Sequence, residues 1–309
     1  MNYRKIVILL LFALFTAEIA AGKAPFDTDF IAKTVVFLYN AGQDGKADVT
    51  APIGTGFLVR VPHLNDQGVT LLLVTARHIV DPEWLHCPVG HNPTLIYARV
   101  NTVSVDRSEK VRYIRVPLLN DDESTWFKHT NDDVDAAVVV FPASEEDLKE
   151  SDFRALPVWR LPTDEELSSL SIGDDIVSAG MLVQLHDTQR NYPVFKFGTI
   201  SNILKEDVRT TCGRAPREIS AWLIAANLVP GNSGSPIIYY PPFGEGGDIS
   251  SPGLQRVVLI GVQSSSVLGD DIALMTPANY LFDIIRSMNI NNADLYRGKP
   301  RNQETQPKR

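Results

Sequence analysis

Three short segments carry residue types that can do nucleophilic chemistry together. Val74-Thr75-Ala76-Arg77-His78-Ile79-Val80 places a histidine just past an apolar run. Asp133-Val134-Asp135 opens onto Ala136-Ala137-Val138-Val139-Val140, a stretch apolar enough to be buried on both faces. Pro230-Gly231-Asn232-Ser233-Gly234-Ser235-Pro236 sets a serine between glycines. A serine hydroxyl is a weak nucleophile at neutral pH. A histidine with a pKa near roughly 6.5 can take its proton and later return it to a leaving group. A buried carboxylate orients the imidazole and stabilises its cation. Glycines beside the serine let backbone N–H groups meet a developing oxyanion, and loss of one such donor costs about 100- to 1,000-fold in rate. Singly, the segments fit a satisfied histidine, a turn aspartate and a plain glycine turn. Jointly they supply a base, an orienting acid and a nucleophile.

Short β-strands must position these residues. Runs rich in Val, Ile, Leu, Phe and Tyr fall at 34–39, 56–61, 69–75, 94–100, 111–116 and 136–141 in the first half. In the second half they fall at 176–183, 194–203, 221–226, 236–240, 257–263 and 272–275. Asn65-Asp66-Gln67-Gly68 has the composition of a hairpin turn. This spacing predicts an all-β sandwich or barrel rather than alternating βα units. One helix is expected near the end, with Thr276 as its cap, Pro277 in its first turn, and Leu281, Ile284, Ile285 and Met288 at helical spacing. Acidic stretches at 145–152 and 163–170 are further helix candidates, and Pro157 and Pro162 mark a connector between two halves.

Composition narrows the class. At 44% hydrophobic and 21% charged, the 309-residue chain is too apolar for general disorder. A net charge of −8 argues against a nucleic-acid partner. Residues 1–22 read as a secretory signal peptide: Arg4 and Lys5 precede an apolar run, and Ala20, Ala21 and Gly22 suit cleavage. The run is about half the roughly 20 residues a membrane span needs, so no stable membrane insertion is expected after cleavage, and the destination is periplasmic or secreted. Residues 295–309 form a basic, polar tail, expected to be disordered. Two cysteines, Cys87 and Cys212, are too few for a disulfide framework, and one bridge between them stays open. His86, Cys87 and His91 lack a further ligand at suitable spacing, so no metal and no cofactor is implied.

The three segments, in the order His78, Asp135, Ser233, resemble the signatures of chymotrypsin-like (trypsin-fold) serine proteases, with bacterial-type members nearest in pattern. Gly54-Thr55-Gly56-Phe57-Leu58-Val59 is similar to the strand before the histidine hairpin. The segments at 172–180, 198–201 and 259–262 are similar to strands of the second barrel. The resemblance spans about residues 30–290. It implies two six-stranded antiparallel β-barrels, at 23–155 and 156–294, the second carrying the terminal helix. It implies His78 as general base, Asp135 as its orienter and Ser233 as nucleophile, with the Gly231 and Ser233 N–H groups as oxyanion hole. Asp132 and Asp133 compete for the acid role, and Asp135 is preferred because it abuts the apolar strand.

Departures from the pattern matter. Vertebrate digestive members carry an aspartate before the serine, which pairs with a newly cut N-terminus; here Asn232 stands there, and a neutral amide forms no such ion pair. The resemblance implies that the floor of the specificity pocket falls near Asn227, six residues before Ser233, with Ser264, Ser265 and Ser266 on its opposite wall. These residues predict a small or uncharged side chain at the cut, and a peptide added as a strand along 264–266. The resemblance thus implies an exported serine endopeptidase acting on protein or peptide through an acyl-enzyme intermediate. The alternative is a catalytically inactive peptide-binding module of the same fold. Oligomeric state and natural substrate are not legible in the residues.

Overall fold

The computed structural model describes residues 27–63, 68–85, 91–103, 110–185, 189–210, 217–229, 231–239, 258–266 and 271–290. The expected signal segment, the basic tail, most of the 65–68 turn, His86, Cys87 and Cys212 lie outside the described residues.

The chain opens with a short helix, α1 (Thr28–Thr34), capped by the Asp27 carboxylate on the Phe30 N–H at 3.0 Å. The first sheet follows: β1 (Val35–Ala41), β2 (Ala47–Pro62), β3 (Val69–Thr75), β4 (Leu95–Asn101) and β5 (Val111–Pro117). The small hairpin β6 (Leu119–Asn120) and β7 (Glu123–Ser124) leads to β8 (Trp126–Lys128) and β9 (Ala137–Val140). Between β3 and β4, a single helical turn, α2 (Arg77–Val80), carries His78. The sheet order is β5-β4-β1-β2-β3-β9-β8, and β10 (Leu156–Pro157) adds to β2 in parallel.

Two helices with reciprocal caps precede and follow the connector. These are α3 (Glu145–Glu150), closed by Ser144 and Asp147, and α4 (Asp164–Ser168), closed by Thr163 and Glu166. The second half contains β11 (Asp175–Gly180), β12 (Val194–Asn202), β13 (Val208–Thr210), β14 (Arg217–Ile219), β15 (Trp222–Ala225), β16 (Pro236–Tyr239), β17 (Val258–Ser266) and β18 (Ile272–Pro277). Six of these close a barrel in the order β11-β12-β15-β18-β17-β16, while β13 and β14 form a separate hairpin. The fold is chymotrypsin-like. It differs from two equal six-stranded barrels in that the first sheet has eight strands, one of them parallel, and its ladder stays open among the described residues. Strands far apart in that order still close over one core: Ile114 and Val116 of the end strand β5 share it with Ala137 and Val139 of β9, next to the other end.

Burial explains the uninterrupted apolar run of β1. Val36 and Leu38 face the interior of the first sheet, with Leu58, Leu73 and Ile96. Val35, Phe37 and Tyr39 face the other way, into a second core shared with Val177 and Ala179 of β11, and Leu259 and Val262 of β17. A strand buried on both faces has no polar side to alternate with. The terminal helix, α5 (Ala278–Ser287), closes this shared core with Ala278, Leu281, Phe282, Ile284 and Ile285. The barrel interior forms a third core around Ile176, Ile200, Ile224, Ile237 and Met275.

Thr276 does not cap α5. It lies in β18, which stays paired through Gly261↔Pro277, so Pro277 takes the cap position with extended backbone and no side-chain bond. The Thr276 hydroxyl instead donates to the Asp135 carbonyl at 3.2 Å.

Phe282 is 2% exposed and joins α5 to both halves. Phe282→Ala is therefore expected to destabilise the fold by about 3–5 kcal/mol in urea unfolding; a loss below about 1 kcal/mol would show that the helix is not part of the shared core.

Candidate active site

The site is built around Asp135, which is fully buried at the start of β9. One carboxylate oxygen accepts the His78 backbone N–H at 3.0 Å, and the other lies 2.9 Å from His78 Nδ1. The Ser264 hydroxyl donates to that second oxygen as well. Register explains the meeting: β3 pairs with β9 through Thr75↔Ala137, so the turn leaving β3 and the loop entering β9 emerge side by side. Asp132 and Asp133, the rivals for the acid position, point elsewhere. Asp132 binds Arg77, Lys128 and Arg217, and Asp133 lies 3.8 Å from Arg217.

Electrostatics follow from burial and pairing. Burial alone pulls the His78 pKa down, but the Asp135 charge and hydrogen bond outweigh it and leave the group raised above its ordinary 6.5. Burial pushes the Asp135 carboxyl up. The His78 charge, the hydrogen bonds from His78 and the Ser264 hydroxyl together hold it below 3.8.

Ser233 lies in a loop held by the first sheet. Thr55, fully buried on β2, uses every polar atom it has. Its N–H donates to the Ser233 carbonyl at 2.8 Å, and its hydroxyl donates to the Gly231 carbonyl at 2.6 Å. That hydroxyl accepts the Met181 N–H at 2.9 Å, and the Thr55 carbonyl accepts Thr75 Oγ1 at 2.7 Å. The loop needs left-handed backbone at Gly231, φ +97°, and Gly234, φ +86°. A Cβ on Gly234 would lie 2.0 Å from the Thr55 carbonyl oxygen, so no side chain fits there. Among the described residues, neither the Gly231 nor the Ser233 N–H has a hydrogen-bond partner, whereas the neighbouring Asn232, Gly234 and Ser235 N–H groups all do.

Ser233 Oγ donates to the Ser264 carbonyl at 3.0 Å, and no hydrogen bond joins it to His78 among the described residues. Ser264 thus links Ser233 to the Asp135–His78 pair, carbonyl to one side and hydroxyl to the other. The family resemblance marked 264–266 as a pocket wall and as an edge for a peptide strand; the hydroxyl's bond to Asp135 carries no local signal in Gln263-Ser264-Ser265-Ser266.

Asn232 is 1% exposed, and its amide is satisfied by neutral groups. It donates to the Met181 carbonyl at 2.9 Å and accepts the Val229 N–H at 3.0 Å. Asn227 is exposed, and its carbonyl accepts the Lys196 ammonium. Burial holds the Lys196 pKa below its ordinary value, and this lysine beside the expected pocket floor is a group that the reading of Asn227 and Ser264–Ser266 did not include. β17 pairs with β16 only as far as Pro236↔Val262, so residues 264–266 have no strand on that side among the described residues, while Ser266 pairs with Ala273 on the other. Ser265 is partly exposed at this edge. His91 lies 3.4 Å from Glu83, and no metal-binding group of three or more ligands occurs among the described residues.

No protein-family model matches the chain, and no curated protein matches it. Solved structures do. The active form of the Rv3671c protease from M. tuberculosis is 14% identical, with 84% of this chain and 82% of that chain covered at a TM-score of 0.43. An HtrA-type protease, AlgW, solved with a decapeptide, is 12% identical, with 84% of this chain and 64% of that chain covered at a TM-score of 0.43. Tobacco Etch Virus protease is 14% identical, with 87% of this chain and 84% of that chain covered at a TM-score of 0.44. At these values the likenesses assign no family to this chain.

The pairing has a directly readable consequence. His78 is expected to titrate above 6.5 when followed by ring NMR signals. In Asp135→Asn both raising influences are lost and burial remains, so its pKa should fall below 6.5. A value at or below 6.5 in the unaltered protein would contradict the pairing.

Proposed function

We propose that the chain is a serine endopeptidase that hydrolyses peptide bonds through Ser233, His78 and Asp135. The observation that carries this reading is the Asp135–His78 pair, joined through Ser264 to a serine whose own N–H and that of Gly231 have no partner among the described residues. In this reading Ser233 Oγ leaves the Ser264 carbonyl by rotation about its Cα–Cβ bond and attacks the substrate carbonyl. His78 takes the hydroxyl proton through Nε2, the ring nitrogen not facing Asp135. Asp135 holds the tautomer and stabilises the imidazolium. The Gly231 and Ser233 N–H groups receive the oxyanion. The protonated His78 then gives its proton to the leaving amine, and water, activated by the same histidine, releases the acyl group from Ser233. The substrate chain runs along the open edge at 264–266 as an added strand. The leader-like composition of residues 1–22 supports a periplasmic or secreted setting for this activity.

The neutral partners of Asn232 support activity without a newly cut N-terminus, because its amide is already satisfied by Met181 and Val229. A second reading, an inactive peptide-binding module, is favoured by one observation: the Ser233 hydroxyl is engaged by Ser264 rather than by His78. Loose nucleophile–base contacts are nevertheless common before substrate binds.

A fluorophosphonate probe separates the two. The protease reading expects covalent labelling of the protein that disappears in Ser233→Ala; folded, unlabelled protein would favour the binding module. The acid limb of kcat/KM should have its midpoint above pH 6.5, because His78 must be neutral to act as base and its pKa is raised. A profile flat across pH 5–8, or activity appearing only after cleavage near residue 30, would count against this account.

A further inference from the structure

One cluster outside the site grips both of its arms. Trp84 lies between two guanidiniums, with Arg77 Cζ 4.6 Å and Arg217 Cζ 4.5 Å from its ring centroid. The Asp132 backbone carbonyl accepts three donors: Arg77 at 3.0 Å, Trp84 Nε1 at 2.8 Å and Arg217 at 2.9 Å. The Asp132 carboxylate takes Arg77 and Arg217 again, and Lys128 at 2.9 Å. Hydrogen bonds from Lys128, Arg77 and Arg217 hold that carboxyl well below the usual carboxylate range. Trp84 and Arg77 are 5% and 4% exposed, and beneath them Leu85, Ile219, Ala221 and Leu274 form a separate apolar cluster.

The placement of these residues gives the cluster its meaning. Arg77 immediately precedes His78, and Asp132 lies three residues before Asp135. Arg217 opens β14, in a hairpin that belongs to neither sheet. The hairpin's contact is reinforced next door, where the Ser220 N–H donates to the Asp133 carbonyl at 2.9 Å and Asn131 Nδ2 donates to Ser220 Oγ at 3.2 Å. Two like charges stacked on one indole repel each other unless an anion lies between them, and Asp132 is that anion. A contact serving only to bury surface needs no such balance of charge.

We propose that the Arg77–Trp84–Arg217 stack around Asp132 is a positioning clamp that sets the distance between His78 and Asp135, with the β13–β14 hairpin as its outer jaw. This deepens the protease reading and rests on it for its effect on rate, but the geometry of the pair can be tested without any activity. Asp132, Trp84 and Arg217 are positioning residues: none bonds His78, Asp135 or Ser233. The hairpin comes from the second half of the chain, so the clamp makes the alignment of a pair in the first half depend on the folding of the second.

The test is made on the full chain with Arg217→Ala and Trp84→Phe. The second variant keeps an aromatic face for the arginines, but removes the Nε1 donor to Asp132 and part of the buried ring volume. Two readouts are taken: the His78 titration by NMR, and the rate of fluorophosphonate labelling at Ser233. Loss of a nearby cation acting by charge alone would raise the His78 pKa. Loss of positioning lowers it toward 6.5, because the Asp135 contact that raises it is weakened. The clamp therefore expects a lowered His78 pKa in folded Arg217→Ala, and labelling slowed by about tenfold to a hundredfold. An unchanged or raised His78 pKa in a folded variant overturns the proposal, as does failure of both variants to fold, which would make the cluster a folding element only. If the unaltered protein itself is not labelled, the protease reading fails while the titration still decides the clamp.

Discussion

A carboxylate with no solvent exposure, Asp135, sets the terms for the rest of the molecule. An uncompensated charge at such depth costs several kcal/mol, so the chain must deliver donors to it from wherever they can be found. Two come from His78, on the turn after β3, and one from Ser264, far along on β17. A fourth contact, from Thr276, fixes the Asp135 carbonyl. Meeting this single demand brings the turn after β3, the start of β9 and the strands β17 and β18 to one point. The two halves of the molecule therefore join around a polar centre as well as an apolar one.

The apolar joint and the polar one reinforce each other. Val35, Phe37 and Tyr39 on one side, and Val177, Leu259 and Val262 on the other, share a core sealed by α5. This packing includes Val134 and Ala136 on either side of Asp135 and keeps its carboxylate from solvent, which strengthens the contact with His78, since a hydrogen bond to a charged group gains most where the dielectric is low. The same exclusion makes the contact unforgiving. A misplaced donor leaves a buried charge unanswered, which gives physical sense to a clamp of arginines and tryptophan so close to the pair.

The legible part of the fold is the part governed by local pattern. The alternation and length of apolar runs marked most of the long strands to within a few residues, and the spacing of Leu281, Ile284 and Ile285 marked the terminal helix. Short strands such as Trp126–Lys128, Leu156–Pro157 and the hairpin at 208–219 were illegible, because they are polar or brief and owe their conformation to distant neighbours. Thr276 shows the same limit. As a residue beside proline it suits a helix cap, yet pairing with β17 keeps it in a strand. In the candidate site, motif and order singled out His78, Asp135 and Ser233; the structure bonds the first two directly and reaches Ser233 through Ser264. The choice of Asp135 over Asp132 became physical only once Arg77, Lys128 and Arg217 were seen to occupy Asp132. The roles of Ser264 and Thr55 were not readable at all, since each acts through partners from other parts of the sequence.

Thr55 has a consequence for the life of the chain. The loop bearing Ser233 belongs to the C-terminal half, but two of its carbonyls are held by a threonine made long before it during synthesis. A nascent chain that ends before residue 231 has Thr55 but no serine loop for it to hold. An isolated second half has the loop and its bonds to Met181, Gln263 and Ser264, but not the two bonds from Thr55. The complete arrangement around Ser233 thus depends on contacts of long sequence separation, which close only when both halves are present. On this view the division of labour between the two halves is a safeguard: no fragment of the chain carries the assembled site.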